Sequence, residues 1–298
     1  MASLQSTIIR FLIKHSVNWN KPLAEVRNDL AKMSGKLKIP AGMTVSQRNL
    51  NGANVDEYVP ASAQKTGNGG RIRLIYYVHG GGYSLGLVNT NRNFVMNIAQ
   101  QSGARVVLLD YRLAPEHPFP SALNNFLGGY RGLLAEGLRA EQIAVMGDSS
   151  GCGLALAGLT CLRDAGDPLP ATLVALCPMV DQTNSGETFQ TRAALDPYRL
   201  DPKYAMNQYI LAGQDPCNPL LSPLFGDLRG LPPLLIHAAD HDVFLSDATR
   251  LAEKACQAAV PVTLKVWQSM WHIFQMSAEL LPEGQASLNE IYSYLHAL

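Results

Sequence analysis

From residue 73 onward, short apolar segments with the composition of β-strands alternate with longer segments that have the periodicity of helices. The strand-like segments are residues 73–78, 104–110, 142–147, 171–178, 233–240 and 262–267. The helix-like segments are residues 93–102, 122–137, 153–166, 247–259 and 284–297. A strand that is apolar along its whole length is covered on both of its faces. The alternation therefore predicts the α/β class, with a mostly parallel central sheet of about eight strands and helices on both faces.

Two segments with helical periodicity lie outside this alternation, at residues 1–42 and 183–215. Ligands of open parallel sheets bind beyond the carboxyl ends of the strands, where such segments would shape the pocket. We therefore predict an α/β core of residues 43–182 and 216–298, with 1–42 and 183–215 as the two parts of a helical cap. The pocket lining would depend on cap residues whose directions the sequence does not give, such as Phe11, Trp19, Phe189, Met206, Tyr209 and Ile210.

Composition and charge argue against several classes of function for this chain of 298 residues. Its formal net charge is zero, 7% of its residues are aromatic and no lysine or arginine cluster occurs, so no nucleic-acid surface is expected. Five cysteines without a CxxC pair suit neither a zinc site nor a disulfide framework. Arg10 and Lys14 interrupt the apolar patch in residues 1–20, and no apolar run of about 18 residues occurs elsewhere, so no membrane span is expected. These observations predict a soluble cytoplasmic protein.

Residues 146–153, with the sequence MGDSSGCG, join a predicted strand to a predicted helix and place two serines side by side. A nucleophile held in a sharp strand–turn–helix connection needs small residues two positions before and after it. Gly147 and Gly151 provide that spacing for Ser149, whereas Ser150 would be flanked by an aspartate and a cysteine. The spacing therefore selects Ser149 as the candidate nucleophile. Without a second motif, Ser149 would be interpreted as the N-cap of the following helix.

A second glycine-rich motif occurs upstream, where the strand-like segment 73–78 is followed by HGGG at residues 79–82. Consecutive glycines leave backbone N–H groups unobstructed, as an oxyanion hole requires. His79 begins this loop and is expected to orient it. No P-loop motif occurs and no GxGxxG motif follows the first strand, so neither a cofactor nor a metal is predicted.

Together with these two motifs, three further stretches resemble the bacterial hormone-sensitive-lipase family of α/β-hydrolase carboxylesterases. They are DYRLAPEHPFPSAL at residues 110–123, DPCNPLLSPLFGDLRGLPPLLI at 215–236 and HIFQ at 272–275. The resemblance covers residues 70–298. It implies an oxyanion hole formed by Gly81, Gly82 and the backbone N–H of Ser150. The chain departs from the family's usual GDSAGG, because Ser150 replaces an alanine and Cys152 replaces a glycine.

The chain order Ser–Asp–His expected of this fold identifies the base among seven histidines. His272 follows the last predicted strand and begins a helix-like segment, so we predict that it takes the proton of Ser149. His15 and His296 lie near the two ends of the sequence and are interpreted as exposed helix residues. His237 lies within a predicted strand and is interpreted as a core residue.

The acid is expected after the strand-like segment 233–240, where Asp240, Asp242 and Asp247 occur. Asp247 lies at the start of the next helix and is interpreted as a first-turn acid that interacts with the helix dipole. Spacing alone does not choose between Asp240 and Asp242. The resemblance favours Asp242, which would hold the imidazole of His272, and leaves Asp240 as the alternative.

The combined motifs predict a carboxylesterase that cleaves short-to-medium acyl esters through an acyl-enzyme at Ser149. His79, Gly80 and Asp148 are predicted to support the site, and the expected partner is a small-molecule ester. A lipase acting on longer acyl chains would use the same residues, but it would present a larger exposed apolar patch. A noncatalytic receptor on the same scaffold is the other alternative, since a fold does not determine a function. Related enzymes are often dimers, so the resemblance also raises the expectation of a homodimer.

Overall fold

The apolar segments of the sequence form the centre of one sheet. The computed structural model describes residues 3–16, 18–19, 21–33, 37–64, 72–87, 89–198 and 207–298. Its strands are β1 (Met43–Leu50), β2 (Ala53–Pro60), β3 (Leu74–Val78), β4 (Arg105–Asp110), β5 (Ile143–Asp148), β6 (Thr172–Leu176), β7 (Leu234–Ala239) and β8 (Val262–Trp267). Their order in the sheet is β1-β2-β4-β3-β5-β6-β7-β8. The β1–β2 and β2–β4 pairs are antiparallel and the other pairs are parallel, so the predicted mostly parallel α/β sheet is confirmed.

Five long helices follow or precede these strands in alternation, as predicted. The helices are α1 (Leu4–Ser16), α2 (Leu23–Met33), α3 (Ala61–Gln64), α4 (Asn89–Ser102), α5 (Ser121–Ala135), α6 (Ser150–Ala165), α7 (Thr188–Thr191), α8 (Asn207–Leu211), α9 (Leu245–Gln257) and α10 (Pro282–Ala297). The five that alternate with strands, α4, α5, α6, α9 and α10, begin slightly earlier than predicted, because a polar first turn carries no apolar periodicity. None of the helices in the described ranges combines the length and apolarity that crossing a bilayer requires.

The antiparallel edge of the sheet is a hairpin of β1 and β2, which lies outside the strand-like segments identified from the sequence. β1 and β2 are joined by Asn51 and Gly52, which both have positive φ angles of 47° and 87°. Asn-Gly is the residue pair that a two-residue type I′ hairpin turn favours. The signal was therefore present, but β1 lies at the sheet edge and is mostly exposed between its buried ends, so it lacks the apolar run that identified the central strands.

The sheet separates two apolar cores, and alternate residues of each strand point into one or the other. In β3, Tyr76 and Val78 belong to the core that α5, α6 and α9 cover. Ile75 and Tyr77 belong to the core that α4 and α10 cover. Because helices occupy both faces, the loops at the carboxyl ends of the parallel strands are left as the place where polar side chains can converge.

The segments expected to form a cap contain α1 and α2 before the sheet, and α7 and α8 between β6 and β7. Residues 199–206 of the second segment lie outside the described residues. On its inner face, α1 packs Ile9 and Ile13 against a small core that includes Trp271 and Phe274. Its outer face is apolar and largely exposed, with exposed fractions between 53% and 76% for Leu4, Ile8, Phe11 and Leu12.

α5 and α6 pack so closely that α6 needs a glycine at the contact. A Cβ atom on Gly158 would lie 2.0 Å from Cδ1 of Phe126. The Phe126 ring is fully buried, so it has no free space into which it could turn. We expect Gly158→Ala to lower the free energy of unfolding by about 1–3 kcal/mol through overpacking, as measured by urea denaturation.

Phe126→Leu is the matched control, because it removes the ring that the new methyl group would meet. The double variant should cost less than the sum of the two single variants, with a coupling of about 0.5–3 kcal/mol. Additive costs would contradict this account of the α5–α6 contact.

Candidate active site

Ser149 lies in the sharp turn between β5 and α6. Its backbone has φ 52° and ψ −124°, a region that a non-glycine residue adopts only under strain. A Cβ atom on Gly151 would lie 2.1 Å from the carbonyl oxygen of Val78, and one on Gly147 would lie 3.0 Å from the carbonyl carbon of Gly151. The Ser149 N–H donates to the Leu176 carbonyl at 2.9 Å, which fixes the turn against β6. The turn therefore requires the glycine spacing that selected Ser149.

Ser149, His272 and Asp242 form a hydrogen-bonded chain. With the ring proton of neutral His272 on Nδ1, the Ser149 hydroxyl donates to Nε2 at 2.9 Å. The Nδ1–H donates to Oδ2 of Asp242, also at 2.9 Å. The other carboxylate oxygen of Asp242 accepts the Phe244 N–H at 2.8 Å. These contacts fit a Ser–His–Asp triad, in which a hydroxyl, a base and an acid act in sequence.

The environment of His272 favours the protonated ring. Its burial lowers the pKa of the imidazole, but the charge of Asp242 and the hydrogen bond that His272 donates to Asp242 act in the opposite direction. Asp196 and Asp148 add to this effect, and the pKa of His272 is raised overall. The ring can therefore take the Ser149 proton and hold it as an imidazolium beside Asp242.

The structure separates the three candidate acids clearly. Asp242 is fully buried and contacts the imidazole, whereas Asp240 is partly exposed and pairs with Arg192 at 3.6 Å. Asp247 lies in the first turn of α9, as predicted, and accepts the N–H groups of Val180 and Asp181 at 2.8 and 3.1 Å. Asp242 is the one of the three whose carboxylate the structure brings to the candidate base.

The glycine-rich loop follows β3 and is fixed by His79. The His79 Nδ1–H donates to the Gly80 carbonyl at 2.7 Å, and the ring stacks on Tyr111 with 4.2 Å between centroids. Burial lowers the pKa of His79 to about 4, so the ring is neutral at physiological pH. Gly81 and Gly82 have φ angles of 107° and 59°, a region that favours glycine.

Asp148 connects this loop to the turn at Ser149. Its carboxylate accepts the Tyr77 hydroxyl at 2.7 Å and the N–H of Gly80. A Cβ atom on Gly80 would lie 2.3 Å from Oδ2 of Asp148, so the two segments are in direct contact. Burial raises the pKa of Asp148 to about 6, and the hydrogen bonds from Tyr77 and Gly80 oppose that rise. These contacts support the structural role predicted for Asp148, and they hold the HGGG loop against the first turn of α6.

The two departures from the family pattern, Ser150 and Cys152, have fully buried side chains. The Cys152 thiol donates to the Gly147 carbonyl at 3.1 Å, so the larger residue adds a hydrogen bond within the turn. The Ser150 hydroxyl lies beside the Tyr111 hydroxyl. Ser150 is the first residue of α6, and the first N–H groups of a helix have no partner within it.

The other histidines have different surroundings. His237 lies inside β7, where Ser287 and Trp267 contact its Nδ1 and burial lowers its pKa to about 4. His241 contacts Arg10 at 3.1 Å. The remaining three are exposed, namely His15, His117 and His296.

Among the described residues, the side chains whose potential metal-ligand atoms converge are Cys177, Asp242 and His272, with those atoms within 4.8 Å of one another. Both nitrogens of His272 are already engaged in hydrogen bonds. Burial raises the pKa of the Cys177 thiol, and the charge of Asp242 raises it further, so the sulfur remains protonated. This donor set suits a proton relay better than a metal centre, which needs a thiolate and a free imidazole nitrogen.

A cavity of about 230 Å³ adjoins the glycine loop. Its wall is formed by the glycine loop, the end of β5, both predicted cap segments and the loop that carries His272. The lining residues include Ile13, Trp19, Gly81, Asp148, Tyr198 and Ile273. Of the cap residues named for the pocket lining, Trp19 lines this cavity and Tyr209 lines a neighbouring one.

Three of the other named cap residues have different positions, and Met206 lies outside the described residues. Phe11 is on the exposed face of α1, and Phe189 and Ile210 are buried in the core beneath α5, α6 and α9. The sequence left the directions of these side chains open, because helical periodicity identifies an apolar face without showing what covers it.

Sequence reasoning missed Asp196 and Tyr198, which come from the 183–215 segment. The Tyr198 ring meets the imidazole of His272 edge to face, with 6.1 Å between centroids. The Asp196 carboxylate is buried and accepts the Tyr198 N–H at 2.9 Å. No motif marks these residues, because their relation to His272 arises only through tertiary contact.

Comparison with known proteins places this site in context. A family described as having the alpha/beta hydrolase fold matches residues 75–276. An acetyl-hydrolase of Streptomyces hygroscopicus is 37% identical, over 99% of this chain and 97% of its own length. A crystal structure of an esterase from the bacterial hormone-sensitive lipase family is 35% identical, with a TM-score of 0.91 over 100% of this chain and 99% of that one. Crystals of the esterase EstE5 soaked in p-nitrophenyl butyrate gave a structure that is 34% identical, with a TM-score of 0.91 over 99% of each chain.

The opposite pKa shifts of the histidines give a test of the site electrostatics. In an NMR titration, His272 should protonate above pH 6.5, whereas His79 and His237 should stay neutral at pH 5. The raised pKa of His272 depends first on Asp242 among the groups that oppose burial. Asp242→Asn should therefore lower it, and His272→Asn assigns the signal. A His272 pKa below 6.5 in the unaltered protein would contradict this account.

Proposed function

This chain belongs to the bacterial hormone-sensitive-lipase family of α/β-hydrolase carboxylesterases, and we propose that it cleaves short-to-medium acyl esters through an acyl-enzyme formed on Ser149. The observation that carries the proposal is the hydrogen-bonded chain from the Ser149 hydroxyl through His272 to Asp242. A serine hydroxyl becomes an effective nucleophile when such a base takes its proton.

The reaction would proceed in two halves. Ser149 Oγ attacks the ester carbonyl carbon while His272 Nε2 takes the hydroxyl proton, and the carbonyl oxygen becomes an oxyanion. The N–H groups of Gly81, Gly82 and Ser150 stabilise that oxyanion. The tetrahedral intermediate collapses, His272 gives its proton to the leaving alkoxide, and the acyl group stays on Ser149. Water then attacks the acyl-enzyme by the same steps and releases the carboxylic acid.

The preference for short-to-medium chains rests on the size of the cavity. Its volume of about 230 Å³ lies below the range of about 300–1,000 Å³ that pockets for drug-sized ligands occupy. EstE5, a relative of similar structure, was crystallised and soaked with p-nitrophenyl butyrate, an ester whose acyl chain has four carbons. We propose that residues 1–42 and 183–215 form the cap that limits this space, through Trp19 and Tyr198. A homodimer stays a prediction.

A lipase acting on longer acyl chains is the second candidate function, and the outer face of α1 favours it. That face exposes four large apolar side chains beside the helix residues that line the cavity, and exposed apolar patches mark sites of interaction. The acyl-chain preference separates the two functions. Turnover that peaks with emulsified long-chain esters would support the lipase, and turnover that peaks with dissolved short chains would support the esterase.

Hydrolysis of p-nitrophenyl esters, with acyl chains of two to sixteen carbons, tests the nucleophile. Ser149→Ala should lower kcat by roughly 10⁵–10⁶-fold, because the attacking oxygen is lost. Ser150→Ala is the matched control. Turnover by Ser150→Ala should be of the same order as that of the unaltered enzyme, because the substitution leaves the backbone N–H of residue 150, the proposed oxyanion donor, in place. Retained turnover in Ser149→Ala, with the fold intact by circular dichroism, would overturn the proposal.

The choice between the two neighbouring acids gives a second test. Asp242→Asn should lower kcat by roughly 10⁴-fold, because the amide no longer favours the reactive tautomer or stabilises the imidazolium. Asp240→Asn should change kcat little, because the Asp240 carboxylate pairs with Arg192 at the surface. Steady-state kinetics on p-nitrophenyl butyrate distinguish the two, and the reverse ranking would reassign the acid.

A further inference from the structure

Asp196 is a buried carboxylate beside the triad that the mechanism above does not use. Its side chain is 1% exposed. Oδ1 accepts the N–H of Tyr198 at 2.9 Å, and Oδ2 lies 3.4 Å from the N–H of Val243. Val243 stands between Asp242 and Phe244, whose N–H binds the triad acid. Asp196 and Asp242 therefore hold successive N–H groups of the same loop.

The segment that carries Asp196 is fastened to this loop at further points. The Thr188 hydroxyl donates to the Val243 carbonyl at 2.9 Å and accepts the Ser246 N–H at 2.8 Å. From the other side, the guanidinium of Arg10 in α1 donates to the carbonyl of Leu195. The position of the Asp196 carboxylate is thus determined by contacts from α1, from α7 and from residues 240–244, the loop between β7 and α9 that carries Asp242 and is called the acid loop below.

The charges of Asp242 and His272 act on Asp196, and the charge of Asp196 acts on Tyr198. Further titratable and charged groups lie next to these partners or on the elements packed here, namely Asp240 and His241 in the acid loop, Cys177 after β6, Asp148 at the end of β5, Arg10 in α1 and Arg192 in the segment of Asp196. Among the described residues, Asp196 forms no ion pair with a lysine or arginine, because Arg192 pairs with Asp240 and Arg10 binds the Leu195 carbonyl and the His241 ring.

We propose that Asp196 is a positioning residue for the ester hydrolysis: it holds the acid loop and supplies a second buried negative charge that stabilises protonated His272. This inference rests on the proposed function. Asp196 would act through the base and need not touch the substrate. It would make the proton affinity of the base depend on the 183–215 segment, which lies outside the central sheet.

The electrostatics around the two carboxylates agree with this role. Burial and then the neighbouring charge of Asp242 raise the pKa of Asp196 to about 7, and the charge of His272 opposes both, so Asp196 carries its negative charge mainly at and above neutral pH. In the opposite direction, Asp196 contributes to the raised pKa of His272 after Asp242 does. Opposite charges in a poorly solvated site interact more strongly than they would in water, so a carboxylate that lacks direct contact still affects the ring.

The sign of the effect on activity follows from the need for a neutral base. Ester cleavage begins with unprotonated His272, so activity falls on the acid side as the ring takes up a proton. Removing the Asp196 charge weakens proton binding to His272. The neutral ring then persists to lower pH, and the acid limb of the pH profile moves to lower pH.

The experiment compares kcat/KM for p-nitrophenyl butyrate over the pH range in Asp196→Asn, Asp240→Asn and the unaltered enzyme. Asp240→Asn is the matched control, because it neutralises a carboxylate of the acid loop whose charge is already paired with Arg192. In Asp196→Asn the apparent pKa of the acid limb should fall by roughly half a unit to one unit, with no shift in the control. Reduced activity at every pH with an unchanged apparent pKa would show a purely structural role and overturn the proposal.

Two further measurements keep the test decisive. If Asp196→Asn does not fold, Asp196→Ser removes the charge with a smaller side chain that can still accept the Val243 N–H, and the same shift is expected. An NMR titration of His272 in the Ser149→Ala background, with and without Asp196→Asn, reports the effect on the ring without any ester turnover. A lowered His272 pKa there supports the role of Asp196 even if the proposed hydrolysis failed, and an unchanged pKa overturns it.

Discussion

The reversal of the backbone at Ser149 is the constraint on which the rest of the site depends. A residue held at φ 52° and ψ −124° costs about 1–3 kcal/mol, so the surrounding structure has to hold it there. β5 lies between β3 and β6, and both neighbours contribute: Gly151 packs on the carbonyl of Val78, and the Ser149 N–H binds Leu176. The same close approach brings the HGGG loop after β3 next to the first turn of α6. One strained turn therefore positions both the candidate nucleophile and the candidate oxyanion donors.

Three buried carboxylates, those of Asp242, Asp196 and Asp148, act on the imidazole of His272. Asp242 binds the ring directly, and Asp196 and Asp148 act on it through their charges, since both ring nitrogens are engaged by Asp242 and Ser149. Each carboxylate is also hydrogen-bonded to backbone N–H groups, which satisfies the buried oxygens. Negative charge accumulates where a positive charge would form during the reaction. The protein thereby prepares the site for the imidazolium before any substrate binds.

Sequence was sufficient where a feature has a local physical cause. Fully apolar strands revealed the sheet, and the glycine spacing around Ser149 reflects a sharp local turn, in which a Cβ atom on Gly147 would meet the backbone of Gly151. The choice between Asp240 and Asp242 needed either resemblance or coordinates, because both follow the same strand and only the path of the loop decides which one meets His272. Asp196 carried no signal at all, since its contact with Val243 joins residues 47 positions apart in the chain. The directions of the cap side chains could not be predicted for a similar reason: Phe189 and Ile210 are core residues, and Phe11 faces outward.

The position of α1 has a consequence for how this scaffold can diverge. Its inner residues reach the cavity wall, yet the helix lies outside the two cores on which the sheet depends. Substitutions there can reshape the space offered to a substrate at little cost to the cooperative core, whereas changes around β5 disturb both packing and chemistry. Residues of α1 can therefore change under selection for a new substrate while the two cores, and with them the stability of the fold, stay largely unaffected.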